Sequence, residues 1–253
     1  MKSLKISDVT LTFGGLNALT QVSMRIEPGL ITSIIGPNGA GKTSMLNCIS
    51  GFYHPKSGDI YYGDRRLTTA SPHQVSNLGI ARAFQNIELF RGMTVLDNLM
   101  LARHQHLRYG FLGALVFWGK AARIEAENRA YVEDVIDFME LETYRKKNVG
   151  SLSYGVQKRV EVARALTLGP ELLLLDEPMA GMNIEEKEDM VRFIIDIQKE
   201  RNMTVVLVEH DLGVVMDISD QIYVLDFGEV IGAGPPEQVA SDSKVIEAYI
   251  GEE

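Results

Sequence analysis

A glycine-rich segment ending in a lysine and a threonine is the first group of residues in this sequence that could do chemistry. It follows an apolar run at residues 30–35 and precedes a helical pattern at residues 42–50. Glycines let the backbone curl so that successive N–H groups point at phosphate oxygens, and the positive end of a helix adds to that attraction. The spacing matches a phosphate-binding loop in full. We expect these residues to hold a nucleotide: Gly36, Pro37, Asn38, Gly39, Ala40, Gly41, Lys42, Thr43 and Ser44.

Two residues of this phosphate loop (residues 36–43) have specific expected roles. Lys42 would reach the β- and γ-phosphates, and Thr43 would place its hydroxyl on a Mg²⁺ ion. By itself the loop predicts a nucleoside triphosphatase and does not define the process that the hydrolysis drives.

Two adjacent carboxylates follow a second apolar run. The run at 172–175 is typical of a buried strand, and Asp176 and Glu177 stand at its end. Asp176 would lie near the metal, directly or through water, and Glu177 would polarise the attacking water as general base. Adjacent residues at the end of a strand point in different directions, so the two can take different roles. An acidic turn after a strand is common, but the phosphate loop upstream favours the catalytic interpretation.

Positioning these groups requires an α/β framework. Strand patterns occur at residues 4–13 and 19–27, which we expect to form an antiparallel pair joined at a Gly-Gly turn. Further strand patterns occur at 30–35, 58–62, 79–84, 172–175, 205–208, 221–226 and 230. Helical patterns occur at 42–50, 95–106, 121–140, 154–168 and 184–199. The pattern predicts one domain over residues 1–253, an α/β core with a helical subdomain inserted at approximately 92–168.

Composition narrows the function classes. The 253 residues include 45% hydrophobic and 23% charged residues, as in ordinary globular proteins, and the net charge of −9 argues against a nucleic-acid partner. The most apolar stretch, residues 111–118, is far shorter than the roughly 20 residues that cross a bilayer. If this protein works at a membrane, other chains would have to supply the membrane-spanning segments.

The single cysteine, Cys48, cannot form an intrachain disulfide, which fits a reducing compartment.

Residues 152–160 resemble the signature of the ABC ATPases, Leu-Ser-Gly-Gly-Gln, with the helix that follows it. Phosphate loop, signature, acidic strand end and a later histidine come in the order of that family, and the resemblance covers essentially the whole chain. It implies the ABC ATPase fold, a P-loop NTPase core with an antiparallel β subdomain and the inserted helical subdomain. It also implies ATP and Mg²⁺ as cofactors, and ATP hydrolysis coupled to transport.

The resemblance implies further roles for single residues. Gln85 would touch Mg²⁺ or the attacking water and sense the transmembrane subunit, and His210 would contact the γ-phosphate. Phe13 would stack on adenine. Ser153 and Gly155 would cap a helix whose N-terminus faces the γ-phosphate held by a second subunit.

Three residues depart from the family pattern. Tyr154 replaces the first glycine of the signature, Val156 replaces its glutamine, and Asn183 replaces the aspartate of the loop after the acidic strand. Asparagine keeps hydrogen-bonding capacity but loses the charge. We therefore expect Tyr154 to affect the conformation of the signature and Asn183 to change cross-subunit contacts in detail.

The chain also resembles one subfamily, the ATP-binding subunits of branched-chain amino acid importers, in residues 13–16, 82–86, 152–155 and 180–183. An aromatic insert at 104–120 fits this subfamily, without an assigned role. The implied partners are a second ABC ATPase subunit, identical or homologous, two transmembrane permease subunits and, indirectly, an extracytoplasmic substrate-binding protein. The implied location is the cytoplasmic face of the cell membrane, as a peripheral subunit.

Other functions remain as alternatives at this point. A urea or short-amide importer has closely related motifs. A soluble ABC ATPase that remodels nucleic acid or ribosomes usually has two fused ATPase halves or long coiled-coil insertions, which this sequence lacks. The signature argues against a P-loop kinase, and the absence of an Asn-Lys-x-Asp motif argues against a GTPase.

Overall fold

The computed structural model describes the backbone of residues 1–103 and 118–250, so most of the predicted insert at 104–120 lies outside the described residues. The strands are β1 (Leu4–Phe13), β2 (Leu16–Ile26), β3 (Ile31–Ile35), β4 (Ser57–Tyr62), β5 (Arg65–Arg66), β6 (Ile80–Ala83), β7 (Leu172–Asp176), β8 (Thr204–Val208), β9 (Gln221–Asp226) and β10 (Glu229–Gly234). The helices are α1 (Lys42–Ile49), α2 (Pro72–Asn77), α3 (Val95–Arg103), α4 (Trp118–Phe138), α5 (Tyr154–Leu166), α6 (Ile184–Glu200), α7 (Leu212–Ile218), α8 (Pro236–Ala240) and α9 (Ser243–Ile250).

A six-stranded sheet, in the order β10-β9-β3-β8-β7-β6, places the chemistry-bearing residues at one edge. Strands β9, β3, β8, β7 and β6 are parallel, and β10 is antiparallel to β9. The phosphate loop follows β3, and Asp176 ends β7. Because carboxyl ends of parallel strands meet at the same edge of a sheet, these two segments come together there.

Burial on both faces explains the continuous apolar runs of the central strands. Every residue of β3, β7 and β8 is buried. Along β7, Leu173 and Leu175 pack into one apolar cluster, whereas Leu172 and Leu174 pack into another on the opposite face. This pattern is typical of parallel sheets covered on both sides.

A second, antiparallel sheet has the order β2-β1-β4-β5. The predicted antiparallel pairing of its first two strands is confirmed, but β2 begins at Leu16 rather than at residue 19. Gly14 and Gly15 have φ angles of 52° and 91°, which suit a two-residue hairpin turn. Phe13 can therefore pair directly with Leu16.

Three helices, α3, α4 and α5, lie between β6 and β7 in the chain, and their apolar side chains share one cluster with the sheet, among them Leu99, Ile136 and Val160. The helix predicted at 154–168 ends at Leu166, because Gly169 has a left-handed φ of 62° and Pro170 follows it. The helix predicted at 95–106 is described only to Arg103.

Short elements were not predicted from the sequence, namely β5, α2, α7, α8 and α9. Their length explains this, because too few residues define a period. Helix α2 had a usable signal, since Ser71 and Gln74 form a capping box around Pro72 at its start.

Among the described residues, none of the helices combines the length and apolar character needed to cross a membrane.

Candidate nucleotide site

The phosphate loop is held between neighbouring strands, and its glycines make this possible. Gly36 has a φ of 147°, and a Cβ atom there would lie 1.9 Å from the carbonyl oxygen of Leu225. Gly41, with a φ of 101°, precedes α1, and a Cβ atom there would lie 2.7 Å from the carbonyl oxygen of Ala18. Neither position could take a side chain without moving backbone, so these glycines are a requirement of packing as well as of phosphate binding.

The loop opens on a cavity of about 240 Å³ that is lined by residues 38–44, Ala18 and Glu177. The side chain of Lys42 is nearly buried, and its Nζ donates to the carbonyl oxygens of Gly36 at 2.6 Å and Pro37 at 2.8 Å. The ammonium therefore lies among oxygen acceptors at the wall of this cavity, where phosphate oxygens could take over as acceptors.

Asp176 connects the loop to a buried arginine. Its Oδ1 lies 3.5 Å from the hydroxyl of Thr43, and its Oδ2 accepts from Arg82 Nη2 at 2.6 Å. The two charged side chains are 5% and 2% exposed. Arg82 also donates to the side chains of Asn47 at 2.7 Å and Ser50 at 3.2 Å, so it ties β6 and β7 to α1. The role of Arg82 was not predicted from the sequence, although an arginine within an apolar strand is a signal of buried pairing.

The residues at this position fit Mg²⁺. The ion favours hard oxygen ligands and takes one or two from protein, with water and substrate phosphates completing its octahedron. The Thr43 hydroxyl and the Asp176 carboxylate offer two such oxygens from different elements. Within the described residues, no group of three or more His, Cys, Asp and Glu side chains could hold a metal by itself. With two oxygens from the chain, the site suits an ion whose other ligands are water and substrate phosphates.

Glu177 has an unusual backbone conformation. Its φ is 47°, in the left-handed region, which costs a non-glycine residue on the order of 1–3 kcal/mol and is common at active sites. Its N–H donates to the carbonyl of Val208 at 2.9 Å, and its Oε2 accepts from Gln85 Nε2 at 2.6 Å. The turn directs the Glu177 side chain to the cavity while Asp176 pairs with Arg82, so the two carboxylates have different environments, as predicted.

A buried lysine, which sequence analysis passed over, supports this turn. Lys158 on α5 is 1% exposed, and its Nζ donates to the carbonyl oxygens of Gln85 at 2.6 Å and Glu177 at 3.1 Å. Burial lowers the pKa of Lys158, while nearby carboxylates, Glu209 first among them, oppose that shift.

Glu209, also missed, organises the segment that carries the predicted histidine. It is 1% exposed, and its carboxylate accepts from the backbone N–H groups of Met179 at 3.0 Å and His210 at 3.2 Å. Burial raises the pKa of Glu209. The side chain of His210 is 61% exposed. Its backbone is thus fixed while its ring stays accessible.

The predicted adenine contact lies on an exposed ring. Phe13 ends β1 and is 47% exposed, and its ring meets that of Tyr53 edge to face at 5.1 Å between centroids. The face of an aromatic ring held in this way remains available for stacking.

The signature residues form a different cluster, in contact with α6 of the same chain. Ser153 is the N-cap of α5, and its hydroxyl accepts from the N–H of Val156 at 3.4 Å. Gly155 is buried against Glu186, whose Oε1 would lie 2.2 Å from a Cβ atom at that position. The predicted helix cap is therefore present, and a side chain at position 155 would require the Glu186 carboxylate to move.

The structure accounts for two of the three departures from the family pattern. Tyr154 packs beside Gly181, where a Cβ atom would lie 3.0 Å from the tyrosine ring, so a glycine in one segment accommodates the bulk in the other. Asn183 is the N-cap of α6 and forms a capping box with Glu186. Val156 is half-buried against the apolar cluster of the helices and the sheet, but nothing in the structure explains why it replaces glutamine.

Replacing Arg82 by methionine tests the buried ion pair. We expect a loss of about 3–5 kcal/mol in the free energy of unfolding, because the Asp176 carboxylate would stay buried without its cation. Arg66→Met is the matched control, since Arg66 pairs with Asp59 at 2.7 Å on the surface and should cost about 1 kcal/mol or less. Urea unfolding of both variants measures the difference, and equal losses would contradict this account.

The chain is similar to known proteins over nearly its whole length. Residues 19–180 match the ABC transporter family, and residues 229–253 match the family described as branched-chain amino acid ATP-binding cassette transporter. The chain is 40% identical to the high-affinity branched-chain amino acid transport ATP-binding protein BraF of Pseudomonas aeruginosa, over 98% of both chains. It is 39% identical to the corresponding protein LivG of Escherichia coli K12, also over 98% of both.

The fold is also shared with solved structures. A nucleotide-free ATP-binding cassette from an ABC transporter superimposes with a TM-score of 0.86 at 31% identity, covering 99% of this chain and 100% of that one. The predicted fold class is thereby confirmed. With this fold, its phosphate loop and its full-length relatives, the chain belongs to the ABC transporter family, as one of its ATP-hydrolysing subunits.

Proposed function

We propose that this chain drives the import of branched-chain amino acids through separate permease subunits. For the hydrolytic step, the observation that carries the proposal is the position of Glu177, which lines the phosphate-loop cavity and accepts a 2.6 Å hydrogen bond from Gln85. For the cargo, support comes from the full-length relatives whose names state this transport, together with the C-terminal match at residues 229–253.

In this proposal the chain binds ATP through the phosphate loop, with Lys42 on the β- and γ-phosphates and Phe13 against adenine. Thr43, Asp176 and Gln85 would hold Mg²⁺, which when bound neutralises charge on the phosphates. Glu177 takes the proton from the attacking water, and His210 donates to the γ-phosphate.

A second ABC ATPase subunit, identical or homologous, completes the site. Ser153 is exposed at the N-terminus of α5, an end that favours anions, and its described contacts are with its own helix rather than with the phosphate loop. We place the signature of each chain against the γ-phosphate held by the other, so that two ATP molecules bind at the shared interface. ATP must then favour the closed pair over the open one.

The permease is proposed to dock at a second cavity, of about 310 Å³, next to β6. Phe52 and Phe84 line it with ring centroids 5.8 Å apart, and Phe52 is 51% exposed. Phe84 directly precedes Gln85, so a permease segment seated here would act on the residue that contacts Glu177.

We propose that residues 92–168, the helical subdomain, move with the permease. The subunit would then lie on the cytoplasmic face of the membrane, and a substrate-binding protein would deliver cargo on the other side.

Two other functions are weighed against this proposal. A urea or short-amide importer would share the machinery, but the names of the relatives favour branched-chain amino acids. A soluble ABC ATPase would not need the apolar cavity at Phe52 and Phe84.

Affinity purification from detergent-solubilised membranes tests the proposal. We expect multispanning permease chains to co-purify, and leucine with its binding protein, rather than urea, to stimulate ATP hydrolysis by the reconstituted complex. Phe52→Glu should reduce permease recovery, whereas Phe227→Glu, at a ring that is 86% exposed elsewhere on the surface, should not. Stimulation by urea alone would favour the amide importer. Absence of permease, even with ATP-trapped Glu177→Gln, would favour the soluble ATPase.

A further inference from the structure

One ammonium group joins three segments of the site. Lys158 lies on α5, the helix that begins at the signature, and its Nζ binds the carbonyl oxygens of Gln85 and Glu177 at 2.6 and 3.1 Å. The side chains of those same two residues are hydrogen-bonded to each other at 2.6 Å. Lys158 therefore binds the backbone of both residues whose side chains form the Gln85–Glu177 hydrogen bond.

Packing alone does not account for this lysine. At 1% exposure its ammonium is removed from water, which disfavours a charge, and an apolar side chain of similar length would avoid that cost. The burial lowers its pKa, and the charge is compensated by Glu209, Glu177 and Glu161 nearby. The ammonium is buried despite this desolvation cost, and its hydrogen-bond acceptors are backbone carbonyls. It is therefore suited to holding those carbonyls in position.

The backbone of Glu177 needs such support. Its φ of 47° is unfavourable for a residue with a side chain, so the turn persists only if surrounding contacts hold it. The carbonyl of Val208 holds its N–H at 2.9 Å, and Lys158 holds its carbonyl oxygen. Release of that oxygen would let the turn relax and displace the carboxylate, and a misplacement of about 1 Å can cost roughly 10²-fold in rate.

We propose that Lys158 is a positioning residue for ATP hydrolysis, whose ammonium fixes the carbonyls of Gln85 and Glu177 so that the position of the signature helix determines where the Glu177 carboxylate points. This inference rests on the proposed role of Glu177 as general base. Lys158 itself would contact neither ATP nor water. Its ammonium would link α5, which would move when the two subunits close, to the general base Glu177 in the core.

Lys158→Met tests the inference, because it keeps the unbranched apolar part of the side chain and removes the charge and the donors. We expect kcat for ATP hydrolysis to fall about 10- to 100-fold, while KM for ATP and the Kd for a fluorescent ATP analogue stay within about threefold. Lys199→Met, at an exposed lysine on α6, is the matched control and should leave both constants unchanged. An unchanged kcat in folded Lys158→Met would overturn the proposal, as would a loss of ATP affinity that matches the loss of rate.

A second variant separates positioning from general damage to the fold. Lys158→Gln is uncharged like methionine but keeps N–H donors, so we expect it to retain a kcat between those of wild type and Lys158→Met. Equal rates in the two variants would show that hydrogen-bond donation at this position does not affect the rate, which would contradict the proposal. If the methionine variant does not fold, as judged by thermal unfolding, Lys158→Gln carries the kcat and KM comparison, and a kcat equal to wild type would contradict the proposal.

Adding Lys158→Met to Glu177→Gln distinguishes failure of this inference from failure of the proposed function. If Lys158 acts through the base, the double variant should hydrolyse ATP no more slowly than Glu177→Gln, because effects through one group are not additive. Near-normal hydrolysis by Glu177→Gln alone would refute the assignment of the base. A slow Glu177→Gln with a fully active Lys158→Met would refute only the positioning role.

Discussion

Glu177→Gln is expected to hydrolyse ATP about 10²- to 10⁴-fold more slowly than the unchanged protein, with ATP affinity within about threefold. Glutamine has nearly the same shape and can still hydrogen-bond Gln85, which lies 2.6 Å from the carboxylate. It cannot accept a proton from water. The loss should therefore fall on kcat, while binding by the phosphate loop is retained.

Phosphate release in a single turnover and binding of a fluorescent ATP analogue measure the two effects. Glu188→Gln is the matched control, because Glu188 is exposed on α6, and its hydrolysis should equal that of wild type. Hydrolysis by Glu177→Gln within about threefold of wild type would rule out Glu177 as the base and direct attention to another group at the cavity.

Lys42→Ala should weaken ATP binding about 10- to 100-fold. A hydrogen bond to a charged group contributes about 1.5–3 kcal/mol, and about 1.4 kcal/mol corresponds to a factor of ten in affinity. The side chain is nearly buried, and its Nζ reaches the carbonyls of Gly36 and Pro37 at the wall of the cavity. Its removal takes away both a phosphate contact and a support of the loop.

Equilibrium titration with ATP and Mg²⁺ measures this effect, and Lys146→Ala, at an exposed lysine, serves as the control. Thermal unfolding without nucleotide shows whether the loop support also contributes to stability. An unchanged Kd for ATP in Lys42→Ala would refute the phosphate role, whatever the change in stability.

Sequence determined the parts of this protein that depend on contiguous residues. The phosphate loop lies between a strand and a helix, as its pattern predicts, because the curled backbone and the helix end are encoded within one segment. Asp176 at the end of β7 and Glu177 directly after it were predicted from the same kind of local pattern. The first hairpin was predicted because strand alternation and a glycine turn are both local features, although its second strand starts three residues earlier.

Tertiary structure decided which distant side chains support those parts. Arg82 and Asp176 are far apart in sequence and meet because β6 and β7 are parallel neighbours, and the same sheet order places Glu209 beside Met179. From the sequence we expected the bulk of Tyr154 to affect the conformation of the signature. In the structure Gly181, in another segment, leaves room for its ring.

Lys158 shows why sequence alone could not supply this information. A helical pattern indicates which face of α5 is buried, but it does not say which acceptors that face meets, and a lysine on a helix is ordinarily solvated. Only the packing of α5 against the turn at Glu177 brings the ammonium to two carbonyls at 2.6 and 3.1 Å. The order of the residues determines local features such as the phosphate loop. The partners of buried charges depend instead on which elements pack together, because burial and desolvation are set by the tertiary structure.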